Sequence, residues 1–330
     1  MADFGIGILG TGKYLPERIL TNHDLEKMVD TSDEWIVRRT GMKVRHILDD
    51  DVPSYKMGAE AARLAIEDAG LTPLDIDLII VSTEVPDYLS PSMACLIQRE
   101  IKAENAAAFD INAACTGFVY AMTIAQQFIQ TGYYKHVLIV ANEGLSRIVD
   151  WENRNTCVLF GDAAGAVVLG RVDKKYGIRE SYLAAFGNLG HNLTIPCCYV
   201  PEEEKQKRRE GMERTIWQDG SEVFTFAVRA MAESVKTVVE KANSTINDVD
   251  MIVPHQANLR IINGAAKRLE VDEDKISVVL HETGNISSAS IPVALDTESK
   301  NGRLKEGDTL VLVGFGGGLT CGSILLTWGK

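Results

Sequence analysis

The stretch Asn112-Ala113-Ala114-Cys115-Thr116-Gly117 sets a thiol between a short apolar run and a long one. Residues 106–111 have the length and composition of a buried strand. Residues 117–129 are apolar nearly all round, as in a helix with no solvent face. A cysteine at the first turn of such a helix meets unpaired N–H groups and the positive end of the helix dipole, and both favour thiolate over thiol. The placement predicts a nucleophilic sulfur. An inert core cysteine is the alternative that this stretch alone leaves open.

Two more polar groups fall at the ends of apolar runs. Met251-Ile252-Val253 leads into Pro254-His255-Gln256-Ala257-Asn258, and residues 276–280 lead into His281-Glu282-Thr283-Gly284-Asn285. In open α/β sheets the carboxyl ends of strands are where ligands bind, so His255 and Asn285 are candidate partners for the sulfur; a turn or cap role is the simpler alternative for either alone. A third cluster, Trp35-Ile36-Val37-Arg38-Arg39 with Lys43 and Arg45 behind it, sets an aromatic plane beside guanidinium groups. It reads either as a surface for a planar base and phosphates or as an ordinary solvated helix end.

Stepping from these residues to what must hold them, the chain has 330 residues, 45% hydrophobic and 24% charged, an ordinary globular composition with room for a large core. A net charge of −12 argues against a dedicated nucleic-acid binder. The acidic Met1-Ala2-Asp3-Phe4 start and the lack of a long apolar run give the expectation of a cytoplasmic protein without membrane spans. The six cysteines, Cys95, Cys115, Cys157, Cys197, Cys198 and Cys321, show no metal-type spacing, so neither zinc nor structural disulfides are expected.

Residues 59–80 align without a gap onto 232–253 at a constant offset of 173, each copy reading as helix, turn, Asp-x-Asp and apolar strand. This predicts a duplicated α/β unit with halves 1–172 and 173–330, each closed by a glycine turn and a strand (Phe160-Gly161 and Phe315-Gly316). Apolar strands are also expected at 136–141, 276–280 and 309–313, in sheets covered on both faces. Gly5-Ile6-Gly7-Ile8-Leu9-Gly10 matches a dinucleotide fingerprint only in spelling; it reads better as a first strand ending at the Gly10-Thr11-Gly12 turn. The mixed-charge run 201–211 reads as a solvated excursion.

Asn112-Ala113-Ala114-Cys115-Thr116-Gly117, Pro254-His255-Gln256-Ala257-Asn258, Gly284-Asn285 and Phe315-Gly316-Gly317-Gly318 together resemble the β-ketoacyl-acyl-carrier-protein synthase III family, over essentially the whole chain. The resemblance implies a thiolase-like five-layered αβαβα fold and a homodimer. It implies an acyltransferase that joins an acyl-CoA primer to malonyl-acyl-carrier protein through an acyl-Cys115 intermediate, with His255 and Asn285 as donors to the enolate. The backbone N–H groups of Cys115 and Gly317 would form the oxyanion hole, and Phe315 would pack beside the sulfur. Trp35, Arg39 and Arg154 would hold CoA; Arg260, Lys267 and Gln256 would face the acidic carrier protein, while the family's third basic position falls on Thr225. No cofactor or metal is implied, acyl-CoA being a substrate, and neither nucleic acid nor membrane is an expected partner. Quinolone, polyketide or hydroxymethylglutaryl-CoA synthases of the same superfamily could share Cys, His and Asn. A papain-like cysteine hydrolase shares their chain order but lacks its own cysteine motif here.

Overall fold

The structure is a computed structural model that describes residues 3–330. The strands of its two large sheets are β1 (Gly5–Tyr14), β2 (Leu78–Ser82), β3 (Ala107–Ile111), β4 (Val137–Gly144), β5 (Asp162–Val172), β6 (Gly177–Ala185), β7 (Met251–Pro254), β8 (Thr309–Gly316) and β9 (Thr320–Thr327). The helices that frame the site are α1 (Asp33–Thr40), α2 (Tyr55–Asp68), α3 (Met93–Ile101), α4 (Gly117–Gln130), α5 (Gly220–Lys241), α6 (Leu259–Leu269) and α7 (Ser290–Lys300).

The two sheets repeat one topology. The first has the order β1-β5-β4-β2-β3 and the second β6-β9-β8-β7. In both, the two outermost pairings on one side are antiparallel (β1 with β5 and β5 with β4; β6 with β9 and β9 with β8), and the next is parallel (β4 with β2; β8 with β7). The offset seen in sequence recurs in detail. Thr72 and Asp75 form a capping box, and Thr245 and Asp248, each 173 residues later, form the same one. Asp77 then accepts from the N–H groups of Lys135 and His136, as Asp250 does from that of Thr309.

The two sheets and three layers of helices stack five deep. Helices α2 and α3 cover the outer face of the first sheet, α5 and α6 that of the second, and α4 and α7 lie between the sheets. Every residue of β2 and β4 is buried, which explains their unbroken apolar runs: helices press on both faces. Helix α4 needs Phe118, Val119, Met122 and Ala125 on several sides because its neighbours belong to both sheets.

Three sequence expectations are corrected here. Strand β1 does not end at a Gly10-Thr11-Gly12 turn but runs on to Tyr14. The glycines are there because α2 lies against them: a Cβ on Gly10 would collide with Ala65 O and Ala69 N, and one on Gly12 with Ala61 O and Ala65 N. Residues 276–280 form no strand; a single bridge from Ile276 to Ile252 marks the place of a fifth one before the chain turns into the short helix Leu280–Thr283. Nor is 201–211 merely solvated. Glu204 is buried, accepting from Thr194 Oγ1 at 2.5 Å, Lys207 Nζ at 2.6 Å and Arg208 at 2.7 Å, and Arg209 pairs with Asp150 at 2.8 Å. Exposed ion pairs contribute about 0–1 kcal/mol each, but this cluster shares one buried carboxylate and pins the segment. No helix among the described residues is long and apolar enough to cross a membrane.

Candidate active site

Cys115 does not lie on α4 itself. It occupies a 3₁₀ turn, Ala114–Thr116, that feeds into α4, with Ala114 held at φ 47°, a region in which side chains are strained. The second copy repeats this device. Ser287–Ala289 is a 3₁₀ turn that feeds into α7, Ser287 has φ 44°, and Ala114 and Ser287 are again 173 residues apart. The two strained turns meet: Ser287 Oγ lies 3.3 Å from Cys115 Sγ.

A cavity of about 170 Å³ is lined by Cys115, His255, Asn285, Phe315, Gly316, Ser287 and Glu84. The sulfur, imidazole and carboxamide singled out in the sequence therefore share one small space. Gly316 makes room for the sulfur, since a Cβ there would lie 3.0 Å from Sγ and 2.7 Å from Cys115 Cβ. Gly317 lies beside Ala114 and lines a larger cavity of about 990 Å³, together with Ala113, Tyr88, Leu89, Cys197 and Cys198.

Each reacting group has its orientation set. His255 follows β7 and is 1% exposed. Its Nδ1 lies 2.8 Å from Ser290 Oγ, a hydroxyl that already accepts from Gln256 N–H at 3.3 Å. A hydroxyl proton directed at Nδ1 makes that nitrogen the acceptor and leaves the N–H on Nε2. Burial lowers the His255 pKa to about 3, partly opposed by a backbone contact at Ser287, so the ring is neutral. Phe315 packs edge-on against this ring at 5.2 Å rather than serving the sulfur alone. Asn285 accepts from Ser287 N–H at 2.9 Å through Oδ1, which frees its NH₂ to donate. Its backbone is tied to Leu159 O at 2.8 Å and to Gly161 N–H at 3.0 Å.

The sequence expectation of a ready thiolate is corrected. Burial pushes the Cys115 thiol well above its ordinary pKa and the Glu84 carboxylate adds to the push, while the Ser287 hydroxyl pulls the other way. Loss of water and a facing carboxylate outweigh the helix end. Glu84, Ser287 and Ser290 went unnoticed in the sequence. Carrying the 173-residue offset beyond residue 253 would have paired Ala114-Cys115 with Ser287-Ser288 and exposed part of this set.

A third cavity, about 520 Å³, is lined by Trp35, Arg39, Arg154, Phe224 and Arg260. Ser32 caps α1, its Oγ accepting from Trp35 N–H at 3.2 Å, and so fixes where the indole stands. The Arg154 and Arg39 guanidinium carbons lie 5.2 Å and 5.9 Å from the Trp35 ring centre, the aromatic and cationic surface expected for a nucleotide. Arg260 lies 5.4 Å over Phe224, and Lys267 is exposed farther along α6.

Two residues do not fit their expected surface. Gln256 is fully buried: Nε2 donates to Pro254 O at 2.9 Å and Ser277 O at 3.0 Å, and Oε1 accepts from Val279 N–H at 2.9 Å. It braces the loop after β7 and cannot touch a carrier protein. Arg45 is buried as well, bonded to Asn22 Oδ1 at 2.5 Å and to Val158 O, with its pKa lowered to about 10 by burial. It supports the backbone behind Asn285 and offers nothing to phosphates.

Comparison with known proteins places these features in a family. The family model for 3-oxoacyl-[acyl-carrier-protein (ACP)] synthase III matches residues 109–187, and its C-terminal counterpart matches residues 239–328. A β-ketoacyl-[acyl-carrier-protein] synthase III of Caldanaerobacter subterraneus subsp. tengcongensis is 50% identical over 324 residues, 98% of each chain. The crystal structure of 3-oxoacyl-[acyl-carrier-protein] synthase III from Aquifex aeolicus VF5 superposes with a TM-score of 0.92 at 45% identity, covering 98% of this chain and 100% of that one. The priming β-ketosynthase of the R1128 polyketide pathway gives a TM-score of 0.92 at 35% identity over 99% of this chain and 97% of its own.

Proposed function

This chain belongs to the 3-oxoacyl-[acyl-carrier-protein] synthase III family and is a condensing acyltransferase, and we propose that Cys115, His255 and Asn285 carry its two half-reactions. In the first, the Cys115 sulfur attacks the thioester carbon of acyl-CoA and CoA leaves. In the second, malonyl-acyl-carrier protein loses CO₂, and the resulting enolate carbon attacks the acyl-cysteine to give a 3-oxoacyl-carrier protein.

The observation that carries these roles is the shared cavity of Cys115, His255 and Asn285, with both nitrogen donors oriented by their neighbours. A neutral imidazole with its proton on Nε2 and a carboxamide whose oxygen is already engaged suit donation to an enolate oxygen better than proton abstraction. One such donor is worth on the order of 3 kcal/mol of barrier. The backbone N–H groups of Cys115 and Gly317 would meet the oxyanion of the acyl-transfer step. Trp35, Arg39 and Arg154 would hold the CoA nucleotide. Arg260 and Lys267 would offer an acidic carrier protein a local basic patch on a chain of net charge −12.

The active form is proposed to be a homodimer. Tyr88 and Leu89, 57% and 74% exposed, edge the larger cavity beside Ala114, where a second copy could cover them. The reaction calls for no cofactor.

Incubating the protein with acyl-CoA and malonyl-carrier protein, and reading the product by mass, tests this reading. Accumulation of 3-oxoacyl-carrier protein through an acyl group on Cys115, abolished in Cys115→Ser, is expected. An acyl group found on another residue would overturn it.

A further inference from the structure

Two carboxylates lie beneath the nucleophile, and the condensation as written above uses neither. Glu84, just after β2, sets Oε1 3.9 Å from Cys115 Sγ and in contact with Ser287 Oγ, which itself lies 3.3 Å from the sulfur. Glu143, in β4, accepts from Glu84 N–H at 3.1 Å and from Ser288 Oγ at 2.5 Å. The groups that face Glu84 are Cys115 and Ser287 from the two strained turns and Glu143 from β4; His255 shares its cavity, and no cation among the described residues pairs with either carboxylate.

Burial without a counter-ion is costly for one carboxylate and more so for two close together, so the pair holds a proton. Burial raises both pKa values, and the charge of Glu84 raises that of Glu143 further, so the two share a proton between them; Glu84 is the member whose Oε1 reaches both the sulfur and Ser287 Oγ. Meanwhile the buried Cys115 is a thiol, and His255 is a poor base whose Nδ1 is engaged by Ser290. Acyl transfer needs somewhere to put the thiol proton.

We infer that Glu84 is the general base for Cys115, reached through the Ser287 hydroxyl that bridges sulfur and carboxylate. The inference rests on Cys115 being the acylated residue. The S–H proton moves to Ser287 Oγ as the hydroxyl proton moves to Glu84. The sulfur lone pair forms the new S–C bond, and the carbon–sulfur bond to CoA breaks with its electron pair on the CoA sulfur. The proton held by Glu84 is then given up to that thiolate. Acyl-CoA and Cys–SH thus become acyl-Cys and CoA–SH with nothing left over.

The test is the single-turnover rate of self-acylation of the full-length protein by acyl-CoA across pH 6–9, for wild type, Glu84→Gln and Ser287→Ala. Gln keeps the size and the hydrogen bond but cannot take a proton. Acylation should fall about 100-fold near neutral pH, the lower end of what general bases contribute. The loss should shrink about tenfold per pH unit, because the residual reaction waits on spontaneous thiolate. Ser287→Ala should show the same slope, which keeps the test open if Glu84→Gln does not fold. Wild-type rates in both variants would overturn the inference, as would an equal loss at every pH, the mark of a merely structural role. Mass mapping of the acyl group in wild type tests the underlying reading separately: an acyl group off Cys115 would end that reading whatever Glu84 does.

Discussion

Gly316 and Cys115 are packed so closely that position 316 has no room for a side chain: a Cβ would lie 2.7 Å from Cys115 Cβ and 3.0 Å from both its backbone N and its sulfur. Gly316→Ala must therefore move the nucleophile or the end of β8. Displacing a reacting atom by about 1 Å can cost about 100-fold in rate. Single-turnover acylation of the folded variant should fall by about that factor, and an unimpaired rate would show that the sulfur tolerates displacement.

Ser290→Ala removes the hydroxyl that orients His255. The ring should then sample both tautomers, visible as a change in its ¹⁵N imidazole shifts. Decarboxylation of malonyl-carrier protein should drop by less than the roughly 100–1000-fold expected on deleting a donor outright in His255→Ala or Asn285→Ala. Self-acylation should suffer less in all three variants. Equal losses in both half-reactions would contradict the division of labour.

Acid and alkali should act on different buried groups. The folded pKa of His255 is about 3 against an ordinary 6.5, so between these values the unfolded chain binds more protons than the native one. Its contribution is present above pH 6.5 and is lost as pH falls toward 3; His255→Gln should flatten that acid loss in denaturant titrations. Glu143 has the opposite sign. Its raised pKa makes the native state the better proton binder above pH 4.5, and stability drains as pH rises. Glu143→Gln should therefore melt higher than wild type at pH 8, by roughly 2–4 °C for each kcal/mol recovered. Identical melting at pH 8 would mean that the charge is compensated.

Arg260 and Lys267 should separate on charge reversal, although the sequence suggests one patch. Arg260 lines the same cavity as Trp35, Arg39 and Arg154, so Arg260→Glu should raise KM for acyl-CoA as well as for malonyl-carrier protein. Lys267, outside that cavity, should affect the carrier protein alone. A Lys267→Glu enzyme with unchanged KM for the carrier protein would remove it from the docking surface.

The parts of the fold written in repetition were readable in advance. The 173-residue offset announced a duplicated α/β unit with paired Asp-x-Asp strand starts, and the structure adds paired caps and two sheets of one topology, because each copy solves the same packing problem with the same residues. Cys115 and His255 were readable because each stands where a strand gives way to a turn or loop; Asn285 was readable from the glycine before it, while the run ahead of it ends in the short helix Leu280–Thr283 and not in the expected strand. Gln256 shows what such reading misses: four hydrogen bonds turn it inward, and nothing local in its sequence says so. The state of the thiol is set by its burial, to which Glu84, 31 residues away in the chain, adds its charge, and so no scan of the motif around Cys115 could reveal it.

The middle layer also bears on how the protein is made. Helix α4 is synthesised long before β8 and β9, which will cover one of its sides, and α7 reaches back to β1 and β5. A nascent chain paused midway would expose the nucleophile's helix as a bare apolar face. The enzyme must complete translation before its reactive thiol is sealed from solvent, and a truncated product is a candidate for aggregation rather than a working half.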